Sequence, residues 1–176
     1  MVHYIFKKHF HWTVEGSFDP EIKKAIVIVA PHTSWYDFLV GLYARKEVKT
    51  KIHWLGKKEL FIWPFSIYFK ATGGTPLDRT SGQNKVEAIA RLFESKSEFR
   101  LAMAPEGTRK KVIAWKTGFY YIALAAKVPI IPVAFDYGTK TVKVGKAFIP
   151  SKDIEKDLSV IQGFYHGVVA KKPQAF

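Results

Sequence analysis

Ala25-Ile26-Val27-Ile28-Val29-Ala30 is an unbroken apolar run in which four of six residues are β-branched. A strand with one wet face alternates apolar with polar residues. A run without alternation needs cover on both faces, which is the habit of strands inside parallel sheets. Branching at Cβ favours the pleated backbone over the helix. Pro31 then stops the run. Ile130-Ile131-Pro132-Val133-Ala134-Phe135 has the same character. A chain with two such strands must place helices over both of them.

The intervening segments supply those helices. Trp35–Arg45 has helical spacing, with Phe38, Leu39, Leu42 and Tyr43 on one side and Ser34 as the expected N-cap. Lys51–Leu55 reads as a second strand, and Lys58–Lys70 as short helices around Pro64. Gly73-Gly74-Thr75-Pro76 reads as a turn. Ser81–Ser95 and Thr117–Lys127 read as helices, and Phe99–Ala104 as a strand. Thr139–Phe148 alternates like an edge strand, and Ser151 is expected to cap a last helix running toward Val169. Strand and helix alternate, which predicts an α/β layered fold with a largely parallel or mixed central sheet flanked by helices. No repeat, low-complexity tract or linker interrupts residues 1–176, so one domain is expected.

The balance of 28 Lys+Arg against 15 Asp+Glu, a net +13, favours anionic partners: anionic lipid, phosphorylated substrates or nucleic acid. The absence of cysteine excludes disulfides, thiolate metal sites and a cysteine nucleophile. Met1–Lys8 is too broken by charge for a signal peptide. Nothing approaches the ~20 apolar residues needed to cross a bilayer. Residues 1–20, with Tyr4, Phe6, Phe10 and Trp12 among basic residues, read as an amphipathic helix that either docks on the core or contacts a membrane. The stretch Arg45–Lys58 is basic. Trp54 within it, with Phe61 and Trp63 just beyond, adds an interfacial character.

Ligands in open α/β sheets bind beyond the carboxyl ends of strands. Three polar segments occupy strand-end or turn positions. In Pro31-His32-Thr33-Ser34-Trp35-Tyr36-Asp37, His32 precedes Asp37 by five residues. On one continuous helix that offset separates two side chains by about 140°. With His32 in a strand-to-helix turn and Asp37 in the first helical turn, the two can meet. A carboxylate on one imidazole nitrogen then fixes the tautomer, and the other nitrogen can take a proton from a hydroxyl. The alternative is a turn histidine beside an aspartate that complements the helix dipole. Gly74-Thr75-Pro76-Leu77-Asp78-Arg79 offers close backbone approach and an arginine suited to phosphate, or is an ordinary turn. Pro105-Glu106-Gly107-Thr108-Arg109, followed by Lys110, Lys111 and Lys116, makes an anion cradle, or a structural turn in which Glu106 pairs with a cation. His9 and His11 lack a third metal ligand, no Gly-x-Ser-x-Gly elbow is present, and no phosphate-binding glycine loop occurs.

Together with Val128-Pro129-Ile130-Ile131-Pro132-Val133, these segments resemble, in order and spacing, the four motifs of the glycerophospholipid acyltransferase family, which includes lysophosphatidic acid acyltransferases. The segment from His32 to Asp37 looks like its His-x4-Asp motif, and Pro105–Arg109 looks like its Pro-Glu-Gly-Thr-Arg motif. The resemblance covers residues 25–135. It implies transfer of a fatty acyl group from acyl-CoA or acyl-carrier protein to the hydroxyl of a lysophospholipid-type acceptor, in phospholipid biosynthesis. His32 would be the general base and Asp37 its orienting partner. Arg79, Glu106, Gly107, Thr108 and Arg109 would bind the acceptor's acidic head group. No metal and no cofactor beyond the donor is implied. The expected setting is cytoplasmic, peripheral on the inner face of a membrane with anionic lipids. Ala104 stands where the family commonly has Phe. A lyso-aminolipid acceptor and a non-catalytic lipid-binding module are the other readings, though the latter leaves the His32–Asp37 placement unexplained. A nucleic-acid binder needs only the charge, and no recognition motif supports it.

Overall fold

The computed structural model describes residues 11–77 and 85–176. Arg79 and residues 1–10 of the segment read as an amphipathic helix lie outside the described residues. Seven strands form one mixed sheet: β1 (Thr13–Glu15), β2 (Lys24–Ala30), β3 (His53–Lys57), β4 (Gly74–Leu77), β5 (Phe99–Met103), β6 (Ile130–Asp136) and β7 (Thr141–Val144), in the order β1-β7-β6-β2-β5-β3-β4. Every pairing is parallel except β6 with β7. The helices are α1 (Tyr36–Glu47), α2 (Phe65–Ala71), α3 (Lys85–Glu94), α4 (Gly118–Ala126) and α5 (Ile154–Gly163).

The unpatterned run of β2 is explained by what covers it. Ile26 and Ile28 pack with Phe93 of α3, Phe119 and Ile122 of α4 and Ile161 of α5. Ala25 and Val27 face the opposite way, into a second core with Val40, Tyr43 and Ala44 of α1. All seven residues of β6 are buried for the same reason. Each large side chain removed from water in this way contributes ~1.5–3 kcal/mol before chain entropy is counted. The α1 face is the one that carries the candidate site.

Four local expectations change. Gly74–Leu77 is strand β4 on β3, not a turn; only Gly73, at φ +87, turns the chain. Glycine is required at 74 because a Cβ there would lie 2.7 Å from the Phe69 carbonyl oxygen and 2.9 Å from the Trp54 ring. Pro76 is tolerated because β4 is an edge strand. The segment Thr139–Phe148 shortens to β7 and is not an edge, because β1 pairs along its outer side. Residues 13–15 of the supposed amphipathic helix are that edge strand. The last helix ends at Gly163, and Asp153, not Ser151, caps it by accepting the Lys156 N–H at 3.2 Å. The Ser151 hydroxyl instead bonds Asp157 at 2.8 Å. No helix among the described residues is long and apolar enough to cross a membrane.

Candidate active site

At the carboxyl end of β2 the chain leaves the sheet through Pro31 and enters α1 at Tyr36. Within this turn His32 Nδ1 lies 3.2 Å from Asp37 Oδ2. The turn is built to hold that contact. Trp35 occupies the N-cap position without a side-chain cap. Ser34 serves instead from one residue earlier, its Oγ accepting the Tyr36 N–H at 3.2 Å. The Ser34 N–H donates to the same Asp37 Oδ2 at 2.8 Å. The carboxylate therefore closes the first turn as well as meeting the imidazole.

The other Asp37 oxygen takes the Tyr137 hydroxyl, with Oη to Oδ1 at 2.6 Å. Asp37 is 2% exposed, so the Ser34 N–H and the Tyr137 hydroxyl, with the imidazole beside them, take the place of water. Burial, and then the Asp37 carboxylate, push the Tyr137 hydroxyl well above the ordinary tyrosine range, so it remains a donor at neutral pH. Tyr137 is fixed in turn by an edge-to-face contact with Trp12 and by donating its backbone N–H to the Val169 carbonyl. Its position was not anticipated from spacing. The available signal was its place just past the carboxyl end of a buried strand. Lys171 adds a cation 5.1 Å from the Tyr36 ring and 5.5 Å from the Tyr137 ring.

Glu106 sits on the opposite side of His32. Both its oxygens face the His32 backbone N–H, at 3.0 and 3.2 Å. Burial raises its pKa above the usual glutamate value, while the His32 amide and ring pull it down. Its carboxylate is thus turned inward, onto the turn that carries the imidazole. Gly107 and Arg109 of the same segment face out, while Pro105 is buried. Gly107 adopts φ +63 with the Lys116 side chain lying across it. Thr108 Oγ1 accepts the Lys110 N–H at 3.3 Å. Arg109, Lys110, Lys111 and Lys116 are exposed. The structure thus brings His32, Asp37, Glu106 and Arg109 to one end of the sheet.

A cavity of about 470 Å³ opens beside this cluster. His32, Asp37 and Arg109 line one end, Phe38, Gly41 and Leu42 of α1 line its length, and Val48 and Ile52 lie at the other. From Asp37 to Val48 the helix rises about 16 Å. The wall is mostly apolar, with Val27, Val29, Val133 and Phe135 from the sheet, and it includes Arg45 and Thr72. His53 also lines it, and burial, with the nearby Lys96 and Arg45 charges, lowers its pKa and favours the neutral ring. The arrangement offers an imidazole with one nitrogen tied to a carboxylate, adjacent cations, and an apolar chamber leading away from them.

The chain is 35% identical over 120 residues to the 1-acyl-sn-glycerol-3-phosphate acyltransferase of Haemophilus influenzae, covering 64% of this chain and 48% of that one. It is 31% identical to the Streptococcus pneumoniae enzyme of the same name, over 77% of this chain and 49% of that protein. A putative 1-acyl-sn-glycerol-3-phosphate acyltransferase of Caenorhabditis elegans is 30% identical, over 82% of this chain and 56% of its own length. The chain thus spans about half the length of the curated relatives it matches. The crystal structure of the 1-acyl-sn-glycerophosphate acyltransferase from Thermotoga maritima shares the fold, with a TM-score of 0.57 and 18% identity over 96% of this chain and 80% of that one. Residues 11–136, which hold six of the seven strands together with His32, Asp37, Glu106 and Arg109, match the family described as Acyltransferase, and to that acyltransferase family the chain belongs.

Proposed function

We propose that this protein transfers a fatty acyl group from the thioester of acyl-CoA or acyl-carrier protein to the hydroxyl of a lysophospholipid such as 1-acylglycerol-3-phosphate, working peripherally at the inner face of a membrane. The observation that carries this is the 3.2 Å His32–Asp37 contact at the mouth of an apolar cavity. Asp37 holds Nδ1, which leaves Nε2 as the base. The acceptor oxygen attacks the thioester carbonyl carbon while Nε2 takes its proton. The C–S bond breaks, and the proton passes from the imidazolium to the departing sulfur. The products are an ester and a thiol, and no covalent intermediate on the protein is needed. The buried carboxylate stabilises the imidazolium that forms between the two proton transfers. Arg109, Thr108 and Gly107 are assigned to the acceptor's phosphate, with Arg79 joining them. Glu106 acts from behind, on the His32 amide. The apolar chamber accommodates an acyl chain. The names and shared sequence of the relatives support the same acceptor class.

The test is a matrix of acyl-CoA and acyl-carrier-protein donors against lysophospholipid and lyso-aminolipid acceptors, read as thiol release. His32→Ala is expected to lower turnover ~10²–10⁴-fold, the usual contribution of a positioned base, with the fold intact by circular dichroism. Turnover unchanged in His32→Ala removes His32 from the mechanism. Wild-type protein silent across the whole matrix removes the enzyme reading and leaves a lipid-binding module.

A further inference from the structure

Ile62, Trp63, Phe65, Ile67 and Tyr68 each expose more than half their surface, and Trp63 exposes 80%. Five large apolar side chains within seven residues form a patch, and such patches mark interaction surfaces. The patch does not sit on a loose loop. Beneath it Phe61 and Phe69 pack on Trp54, at ring separations of 6.0 and 5.8 Å, and Phe38 of α1 packs on Trp54 from the other side. Trp54 also donates its indole N–H to the Thr72 carbonyl at the end of α2. The inner side of α2 is therefore locked, with Phe69 lining the cavity, while the outer side is apolar and uncovered among the described residues.

Its place in the sheet gives it neighbours. The segment from Lys58 to Pro64 leaves the carboxyl end of β3, which pairs with β5, which pairs with β2. The segments after those strands share one rim. After β2 comes Trp35, 57% exposed; after β5 come Arg109, Lys110, Lys111 and the fully exposed Ile113. Lys171 and Lys172 join the rim through the Tyr36 ring and the Thr33 hydroxyl. Within residues 31–35, 58–64, 104–117 and 169–172, Glu59 is the one exposed acid. An apolar knuckle holding tryptophan, beside a nearly uniform set of cations, has the make-up of the boundary between lipid headgroups and acyl chains.

We propose that this rim docks on an anionic bilayer, with Ile62–Tyr68 seated among the upper acyl chains and Lys110, Lys111 and Lys171 on the headgroups. The proposal rests on the lipid-acyltransferase reading above and names the surface that brings the site to its substrate. In this pose the cavity mouth lies at the lipid–water boundary. An acceptor reaches His32 with its tails still in the bilayer.

Sedimentation with vesicles of equal parts phosphatidylglycerol and phosphatidylcholine tests it. The variant carrying Ile62→Ser, Trp63→Ser and Ile67→Ser is expected to partition roughly a thousandfold less, since each of the three buried apolar side chains contributes on the order of tenfold. Ile149→Ser, equally exposed beside the amino end of β6, is expected to bind as wild type. Vesicles of phosphatidylcholine alone are expected to bind wild type more weakly. The triple variant should keep wild-type turnover on a short-chain lysophosphatidate in monomeric solution, and lose turnover on acceptor embedded in vesicles. The proposal is overturned by wild type that stays in the supernatant, by a triple variant that sediments like wild type, or by equal loss in Ile149→Ser. It is also overturned if wild type ignores vesicles but is retained by acyl-carrier protein through these residues. If binding behaves as stated while no form turns over the soluble acceptor, the docking surface stands and the acyltransferase reading falls.

Discussion

Replacing Tyr137 with Phe removes one oxygen and keeps the ring. The ring's contact with Trp12, at 4.9 Å and 89°, and the backbone bond to Val169 are unaffected. What is lost is the 2.6 Å hydrogen bond to Asp37 Oδ1, which leaves a buried carboxylate oxygen without a donor. Hydrogen bonds to a charged group contribute ~1.5–3 kcal/mol, and an orphaned buried acceptor keeps its desolvation cost. For a protein of this size each kcal/mol moves the melting temperature by about 2–4 °C, so a fall of roughly 3–12 °C is expected. The carboxylate would still hold Ser34 N–H and the imidazole through Oδ2, but with freedom to rotate. Turnover is therefore expected to drop about tenfold, a fraction of the ~10²–10⁴ that a positioned base contributes, with KM little changed. Differential scanning calorimetry and steady-state thiol release on the same preparation measure both effects. A variant that melts lower but turns over at the wild-type rate would show that Tyr137 serves stability alone. An unchanged melting temperature would refute the buried hydrogen bond.

Gly41 lies on α1 with open space toward the cavity; a Cβ there would sit 3.6 Å from Phe135 Cζ, an ordinary contact. Gly41→Ala is expected to stabilise by about 0.5–1 kcal/mol from helix propensity, read by denaturant unfolding, whereas Gly41→Leu should shift donor preference toward shorter acyl chains in a chain-length series. At Asp157, burial opposes ionisation, but bonds from the Tyr120 hydroxyl and from the Ser151 amide and hydroxyl outweigh it and lower the pKa; burial, and then the same pairing, push Tyr120 up to about 12. A depressed folded-state pKa means stability that is present above the unfolded value of about 3.9 and is lost as pH falls through the folded value. Asp157→Asn should accordingly flatten the acid limb of a stability–pH profile below about pH 4, and an unchanged acid limb would contradict the network.

The layered fold was legible because burial writes itself into composition: β2 and β6 are covered on both faces, and their runs lack polar interruptions. The edges of the sheet were not. β1 has three residues, too few to display a period, and β4 is made of Gly-Thr-Pro-Leu, whose residue types signal a turn wherever packing does not overrule them. Packing does overrule them there, through the Trp54 and Phe69 contacts that only the folded chain supplies. In the site, the His32–Asp37 pairing was legible as local geometry. The inward turn of Glu106 was not, because its partner is a backbone amide, which carries no sequence identity. Tyr137 was invisible for a related reason: 100 residues separate it from Asp37, and only the β2–β6 pairing brings them together.

That contrast between near and distant contacts bears on when the chain becomes competent. His32 and Asp37 meet across a span of five residues, so a nascent strand-turn-helix can sample their encounter at little entropic cost. Glu106 and Tyr137 arrive across 74 and 100 residues. Closing loops of that length costs about 2–3 kcal/mol more than closing the short one, since the penalty grows as (3/2)RT ln n. The local pair is thus the less costly one to close, and its two distant partners carry the larger entropic cost. With His32 as the base proposed above, an incompletely folded chain would hold its imidazole without the buried carboxylate geometry that orients it, and activity would await the long-range contacts of the sheet.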